Sequence, residues 1–261
     1  MTWDIVLFAG GKSSKMLKER TGAVYRSLIT LQGKPVVLPA ITAFLQVPQA
    51  QIEIYGPEIE FRDSLAPHLS EAEWERLRFR PLHKEGLASQ VLEAVSHREE
   101  ETPLVLSAAD LPLLRSTAVL SFLAQASQKR GIVYPVIPRE ALDSSLVRSR
   151  TFLRTKEGTF TGGNLMAGLA GEFQKASGMM DSFISRRKSP LGLAKLLGWG
   201  FLMGVMMGRW NLGEISERIE SNLGIPLNPL STTAFGLGAD LDKLSDYLLF
   251  QDLLDSKEGN V

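Results

Sequence analysis

Residues 8–16 read FAGGKSSKM and follow the apolar run TWDIVL. Two glycines, two lysines and two serines at the end of a first strand describe a cradle for phosphate. Gly10 and Gly11 let the backbone approach an anion closely and take positive φ values. Lys12 and Lys15 add positive charge, and Ser13 and Ser14 add hydroxyl donors. The turn then feeds a helix, whose first N–H groups have no intrahelical partner and favour an anion. Two well-known phosphate loops do not fit. The dinucleotide fingerprint G-x-G-x-x-G would need glycine where Lys12 and Lys15 stand. The P-loop G-x-x-x-x-G-K-[ST] ends well on Gly11-Lys12-Ser13, but its first glycine falls on Val6, inside the strand. A solvated glycine turn is the structural alternative.

Transfer chemistry on a triphosphate needs positive charge on its oxygens, and Mg²⁺ supplies it while clamping the reactants. Magnesium takes a few carboxylates together with phosphate and water oxygens. Asp110 answers that need: it ends the apolar run of VLSAADLPLL, and Leu-Pro then breaks the strand and exposes the carboxylate. A second, sequence-distant acid comes from GADLDKLSD. Asp240 and Asp242 share one face if that piece is extended, and the spacing does not choose between them. Asp246 starts the final helix, where a negative charge is favoured for structural reasons alone.

Composition narrows the rest. The chain has 261 residues, 44% hydrophobic and 22% charged, which is ordinary for a globular protein. Twenty-nine basic and twenty-nine acidic side chains cancel, so no basic excess points to nucleic acid. There is no cysteine, which removes disulfides, zinc-thiolate sites and cysteine nucleophiles. His68, His83 and His97 are scattered, without the i, i+4 spacing of a histidine metal site. The N-terminal apolar run is short, carries Asp4 and lacks a basic leader, so a cytoplasmic enzyme is expected. Residues 191–208, LGLAKLLGWGFLMGVMMG, reach the lower edge of membrane-span length, but Lys195 and four interior glycines favour a buried or lipid-touching helix.

The elements that must hold these groups alternate. Strands are expected at 3–9, 51–56, 102–114 and 131–138. Helices are expected at 35–47 with Pro35 at the start, on the surface at 69–79, and at 87–97 and 116–129. This is an α/β pattern: a mostly parallel sheet flanked by helices, with chemistry at the carboxyl ends of strands. Past residue 150 come a strand, a turn at Glu157-Gly158 and another strand. A helical stretch follows over about 178–224, containing SRRK at 185–188; then AFGLGADLDKLSDYLLFQDLL at 234–254 offers a strand-like piece, an acidic loop and a final helix that Ser245 could cap. One globular domain with a helical insertion is expected.

The stretch from Leu7 to Met16 matches the nucleotidyltransferase signature L-A-x-G-G-x-S-x-[RK]-M except at Phe8. With RSLITLQGKPVV, VLSAADLPLL, TFTGGNL and GADLDKLSD following in order, the chain resembles the MobA-like nucleotidyltransferases. The resemblance implies a three-layer, Rossmann-like (GT-A type) fold. It implies a first loop (Ala9, Gly10, Gly11, Lys12, Ser13) that binds the nucleotide, with Lys15 neutralising the triphosphate. It implies Mg²⁺ on Asp110 and on Asp240 or Asp242. Gly86 and Ser89 would stand near the base, and Gly162, Gly163 and Asn164 on the acceptor side. Where relatives carry a lysine before L-x-x-l-x-G-K-P this chain has Arg26, and LKERTG lengthens the loop between Met16 and Val24. The implied reaction moves a nucleoside monophosphate from a nucleoside triphosphate to a phosphorylated or hydroxylated small acceptor, releasing pyrophosphate. A nucleotide-binding regulatory protein without transfer is the alternative that Arg26 motivates. Residues 191–208 could cover a partly apolar acceptor, form a dimer contact or lie on a membrane; the structural alternative is a packed helix pair.

Overall fold

The computed structural model describes residues 2–81, 87–148, 150–177, 198–224 and 226–258. Its strands are β1 (Asp4–Phe8), β2 (Thr30–Leu31), β3 (Lys34–Pro35), β4 (Gln51–Tyr55), β5 (Leu77–Arg80), β6 (Pro103–Ala108), β7 (Ile132–Pro138), β8 (Leu153–Thr155), β9 (Gly158–Gly162), β10 (Leu165–Leu169) and β11 (Leu227–Ser231). The main sheet runs β5-β4-β1-β6-β10-β7-β9-β8, and β11 joins β7 in parallel. β5, β4, β1 and β6 are parallel; β10 is antiparallel to both β6 and β7.

β1 is covered on both faces. Ile5, Val6 and Leu7 are all fully buried, each contributing roughly 1.5–3 kcal/mol of hydrophobic stabilisation. One layer packs Ile5, Leu7, Ile52 and Ile54 against Phe44, Phe61 and Phe122. The other packs Val6, Leu104 and Leu106 against Val91, Phe173 and Phe201. Helices Leu38–Leu45, Leu87–Ser96 and Ser116–Ala126 form these flanking layers. The α/β sandwich expected from the alternating pattern is the one observed.

Several boundaries differ. Pro35 does not open a helix: it pairs in β3 with β2 across a turn in which Gln32 and Gly33 both have positive φ, and the helix starts at Leu38. The polar stretch 69–79 splits. Ser70 and Glu73 form a capping box over the short helix Glu71–Trp74, and residues from Leu77 become an edge strand with Leu77 inward and Arg78 outward. The lengthened loop after Met16 is helical, Lys15–Thr21, capped by Ser14 and closed by Gly22 at φ 75°.

In the expected helical insertion, residues 178–197 lie outside the described residues, and Trp199–Met206 and Leu212–Leu223 are helical. Of the apolar stretch 191–208, the described part buries Phe201 and exposes Trp199, Met203 and Met206. Among the described residues no helix is long and apolar enough to cross a membrane. The last helix is Leu244–Glu258, so Ser245 lies inside it and caps nothing. Asp246 does that work: its Oδ2 accepts from the backbone N–H groups of Asp242 at 3.1 Å and Lys243 at 2.9 Å.

Candidate active site

β1 has β4 on one side and β6 on the other: the chain runs outward through β4 and β5 and then crosses back to β6, so the strand order reverses beside β1. Ligands of open α/β sheets bind outside the carboxyl ends of strands at such a point. The first loop leaves β1 there, and Asp110 stands two residues past the end of β6. The loop is pinned to residues 24–26: Ser13 N–H donates to Val24 O at 2.8 Å and Arg26 N–H to Gly11 O at 2.9 Å, with Lys12 bridged to Tyr25. The Ser27 hydroxyl donates to Ala9 O at 2.7 Å, which fixes the loop's base.

That pinning carries Arg26 into the site. A Cβ on Gly11 would lie 2.9 Å from Arg26 Nη2, so the glycine is needed for close approach of the guanidinium. Gly10 and Gly11 are not among the residues with positive φ, contrary to the expected use of that freedom.

Arg26 joins two acids distant in sequence. Its Nε donates to Asp110 Oδ2 at 2.8 Å and its Nη1 pairs with Asp242 Oδ1 at 2.9 Å. Because one guanidinium fork spans both contacts, those carboxylate oxygens lie within roughly 8 Å of each other. Asp240 is held by a second arginine: Arg150 Nη1 pairs with its carboxylate, and Arg150 Nη2 donates to its carbonyl at 3.0 Å. Leu241 N–H donates to Asp110 O at 3.0 Å, which ties the late acidic loop to the end of β6.

The electrostatics follow from burial. The Asp110 carboxyl is raised to about 6, chiefly by burial; Arg26 opposes the rise and Asp240 adds to it. Burial alone would lower the Arg26 guanidinium, but Asp110 and Asp242 outweigh it and hold it above its ordinary value.

A cleft of ≈ 720 Å³ opens beside these groups. Gly10, Gly11, Arg26, Asp110, Gly163 and Asn164 all line it, so the first loop, the acid and the TGGN motif meet in one space. Gly163 N–H donates to Pro135 O at 2.8 Å and Asn164 N–H to Leu237 O at 2.8 Å, so this turn is rigidly seated. Gly162 is exposed at the end of β9. Ser89 is partly buried on the helix Leu87–Ser96, whose Leu87, Gln90 and Val91 form one cleft wall. Gly86 lies outside the described residues. Lys15 starts the first helix with its side chain 89% exposed, facing Glu19 at 3.9 Å. Among the described residues that line the cleft, the positive charge is that of Arg26.

Residues 5–175 match the MobA-like NTP transferase domain. The chain belongs to that family. It is accordingly a nucleotidyltransferase, and the ordered motifs read from the sequence are those of a MobA-like protein. No curated protein sequence is a significant match. Among solved structures, a hypothetical transferase from Thermus thermophilus is 29% identical and superposes with a TM-score of 0.78 over 95% of this chain and 100% of that one. A CMP:2-keto-3-deoxy-manno-octonic acid synthetase complexed with CTP is 13% identical, with a TM-score of 0.61 over 98% of this chain and 100% of its own. The 2-C-methyl-D-erythritol 4-phosphate cytidylyltransferase of Thermus thermophilus is 11% identical, with a TM-score of 0.51 over 96% and 98%. These last two show a shared fold.

The donor set of this MobA-like site fits a hard cation. Two carboxylates, Asp110 and Asp242, already converge on one positive group, and among the described residues no cluster of three or more His, Cys, Asp or Glu forms a ready-made cage. Magnesium is held in that manner, by one or two carboxylates with substrate phosphates completing its shell. The Ser13 hydroxyl is buried without a hydrogen-bond partner, just behind the cleft lining formed by Gly10 and Gly11. Sequence reasoning missed Arg150, which pairs with Asp240 as Arg26 does with Asp110 and Asp242. It also missed the apolar cleft residues Tyr134, Met166, Ile219 and Leu227.

Proposed function

We propose that this enzyme transfers a nucleoside monophosphate from a nucleoside triphosphate to a phosphate or hydroxyl of a small-molecule acceptor, releasing pyrophosphate. The observation that carries this reading is the convergence of Asp110 and Asp242 on Arg26 at the mouth of the first loop. Mg²⁺ bound by Asp110 and Asp242 would neutralise charge on the phosphate under attack and orient it for in-line displacement. Asp240 then serves as the partner that holds Arg150.

The chain's own residues do the remaining work. Gly10 and Gly11 keep side chains out of the path of the triphosphate. Ser13 offers its hydroxyl, and Arg26 offers a planar fork of donors that can pass from carboxylates to phosphate oxygens. Lys12 and Lys15, outside the cleft lining, supply longer-range attraction to the polyanion. Asn164, opposite the first loop, presents an amide that both donates and accepts to the acceptor. The acceptor's oxygen attacks the α-phosphorus and pyrophosphate leaves, with no covalent enzyme intermediate. Positioning and charge stabilisation supply the rate.

The test is pyrophosphate release with Mg²⁺, using four triphosphates against a panel of phosphorylated and hydroxylated acceptors. One pair should turn over, and Asp110→Asn should abolish turnover while leaving the fold intact. Turnover retained by Asp110→Asn, or triphosphate binding without release across the panel, would overturn it.

A further inference from the structure

The cleft continues well past the chemistry, and its far half changes character. β1, β6, β10, β7 and β11 are successive neighbours, so four strand spacings separate the first loop's strand from β11, about 19 Å. Phe8 is in register with Ala108, Met166 with Leu106, and Leu227 with Ile132, two residues from Tyr134. These side chains therefore share one sheet face, and Phe8, Leu106, Tyr134, Met166 and Leu227 floor the cleft. Ile219 covers it from the helix Leu212–Leu223.

That wall is anchored. Asn211 and Glu214 form a capping box, Lys156 Nζ reaches Glu214 at 3.0 Å, and Leu212 N–H donates to Glu157 at 2.9 Å. Among the described residues that line the cleft, Arg26 and Asp110 alone are charged, and both stand at the loop end. Among the described residues, an acceptor with a second phosphate or carboxylate at the far end would meet no lining cation there.

We propose that the acceptor carries an uncharged apolar portion beside its reacting phosphate or hydroxyl, seated over Tyr134, Met166, Ile219 and Leu227. This rests on the nucleotidyl-transfer reading and names the substrate class of the same cleft. The apolar floor runs on from the phosphate end, so one acceptor can present both chemistries to it.

The experiment uses the full chain with Mg²⁺ and n-alkyl phosphates from ethyl to octyl, with binding followed by calorimetry. Triphosphate binding is measured separately. Affinity should rise about three- to fourfold per added methylene until the floor is covered. Ile219→Asn and, independently, Leu227→Asn should flatten that rise while leaving ethyl phosphate and triphosphate affinity unchanged. A flat series in the wild type with intact triphosphate binding overturns this inference and spares the transferase reading. A rise that persists in both variants places the alkyl chain elsewhere and also overturns it. Loss of triphosphate binding in the wild type defeats the transferase reading itself, and this inference with it.

Discussion

Arg26 donates from Nε to Asp110 Oδ2 at 2.8 Å, so the buried acid of the site already faces a cation. A metal ion that binds Asp110 must share or displace that guanidinium. Arg26→Ala should therefore tighten Mn²⁺ binding in the absence of nucleotide by several fold, read by paramagnetic resonance. If the guanidinium passes to phosphate oxygens as proposed, the same change should lower kcat by about 10²-fold. Removing one partner of a largely buried pair also costs stability, here about 2 kcal/mol after discounting for Arg26's 27% side-chain exposure. Unchanged metal affinity would show that Arg26 does not compete for the seat.

The pH dependence has a definite sign. Burial raises the folded Asp110 carboxyl from 3.8 to about 6, so the folded state holds its proton more tightly than the unfolded chain. The stability this contributes is present in full below about pH 4 and is lost as pH rises through about 6. Mg²⁺ needs the carboxylate, so metal affinity should run the opposite way and weaken below about pH 6. Thermal melts from pH 5 to 8, with and without Mg²⁺, should converge at low pH. Asp110→Asn should remove the metal-dependent difference.

Gly11→Ala places a methyl group 2.9 Å from Arg26 Nη2 and 3.2 Å from its Cζ. The obstacle is the end of a flexible side chain, so the fold should lose less than about 1 kcal/mol. The guanidinium must shift, and kcat/KM should fall at least about tenfold. Steady-state kinetics and a urea titration on one sample separate the two effects.

Gly163→Ala meets a harder obstacle. Its Cβ would lie 2.5 Å from Pro135 Cγ and 3.1 Å from Leu237 O, a ring and a backbone that cannot step aside. This substitution should destabilise by about 1–3 kcal/mol, seen as a lower urea midpoint with an unchanged slope.

Asp246 accepts the N–H groups of Asp242 and Lys243, so it sets the backbone that carries Asp242. Asp246→Ala should cost about 1–2 kcal/mol and raise the Mg²⁺ concentration needed for half-maximal rate. Asp246→Asn, which keeps an acceptor oxygen, should recover most of both losses.

What the sequence revealed tracks how local each signal is. β1 and β6 were legible because their apolar runs are continuous, and Asp110 because Leu-Pro ends its strand. β5 was hidden by arginines that alternate with Leu77 and Phe79 on an edge. β11 was hidden by Asn228 and Pro229, which an edge strand tolerates. The different partners of Asp240 and Asp242 had no local signal, since Asp240 pairs with Arg150, ninety residues away, and Asp242 with Arg26. Arg26 stood out as a departure from its relatives. Its hold on two acids depends on the Ser13–Val24 and Gly11–Arg26 backbone bonds, which motif spacing does not encode.

The first helix sends Leu17 into a cluster with Tyr247 and Phe250 of the last helix, whose leading residues also steady Asp242. The family match ends at residue 175, whereas both supports come from beyond residue 240. A fragment trimmed to the matched region would keep the glycine loop, Arg26 and Asp110, yet lose the buttress under the loop and one carboxylate together. The C-terminal helix is thus a keystone for the packing of the N-terminal loop, and a working fragment is expected to extend to it.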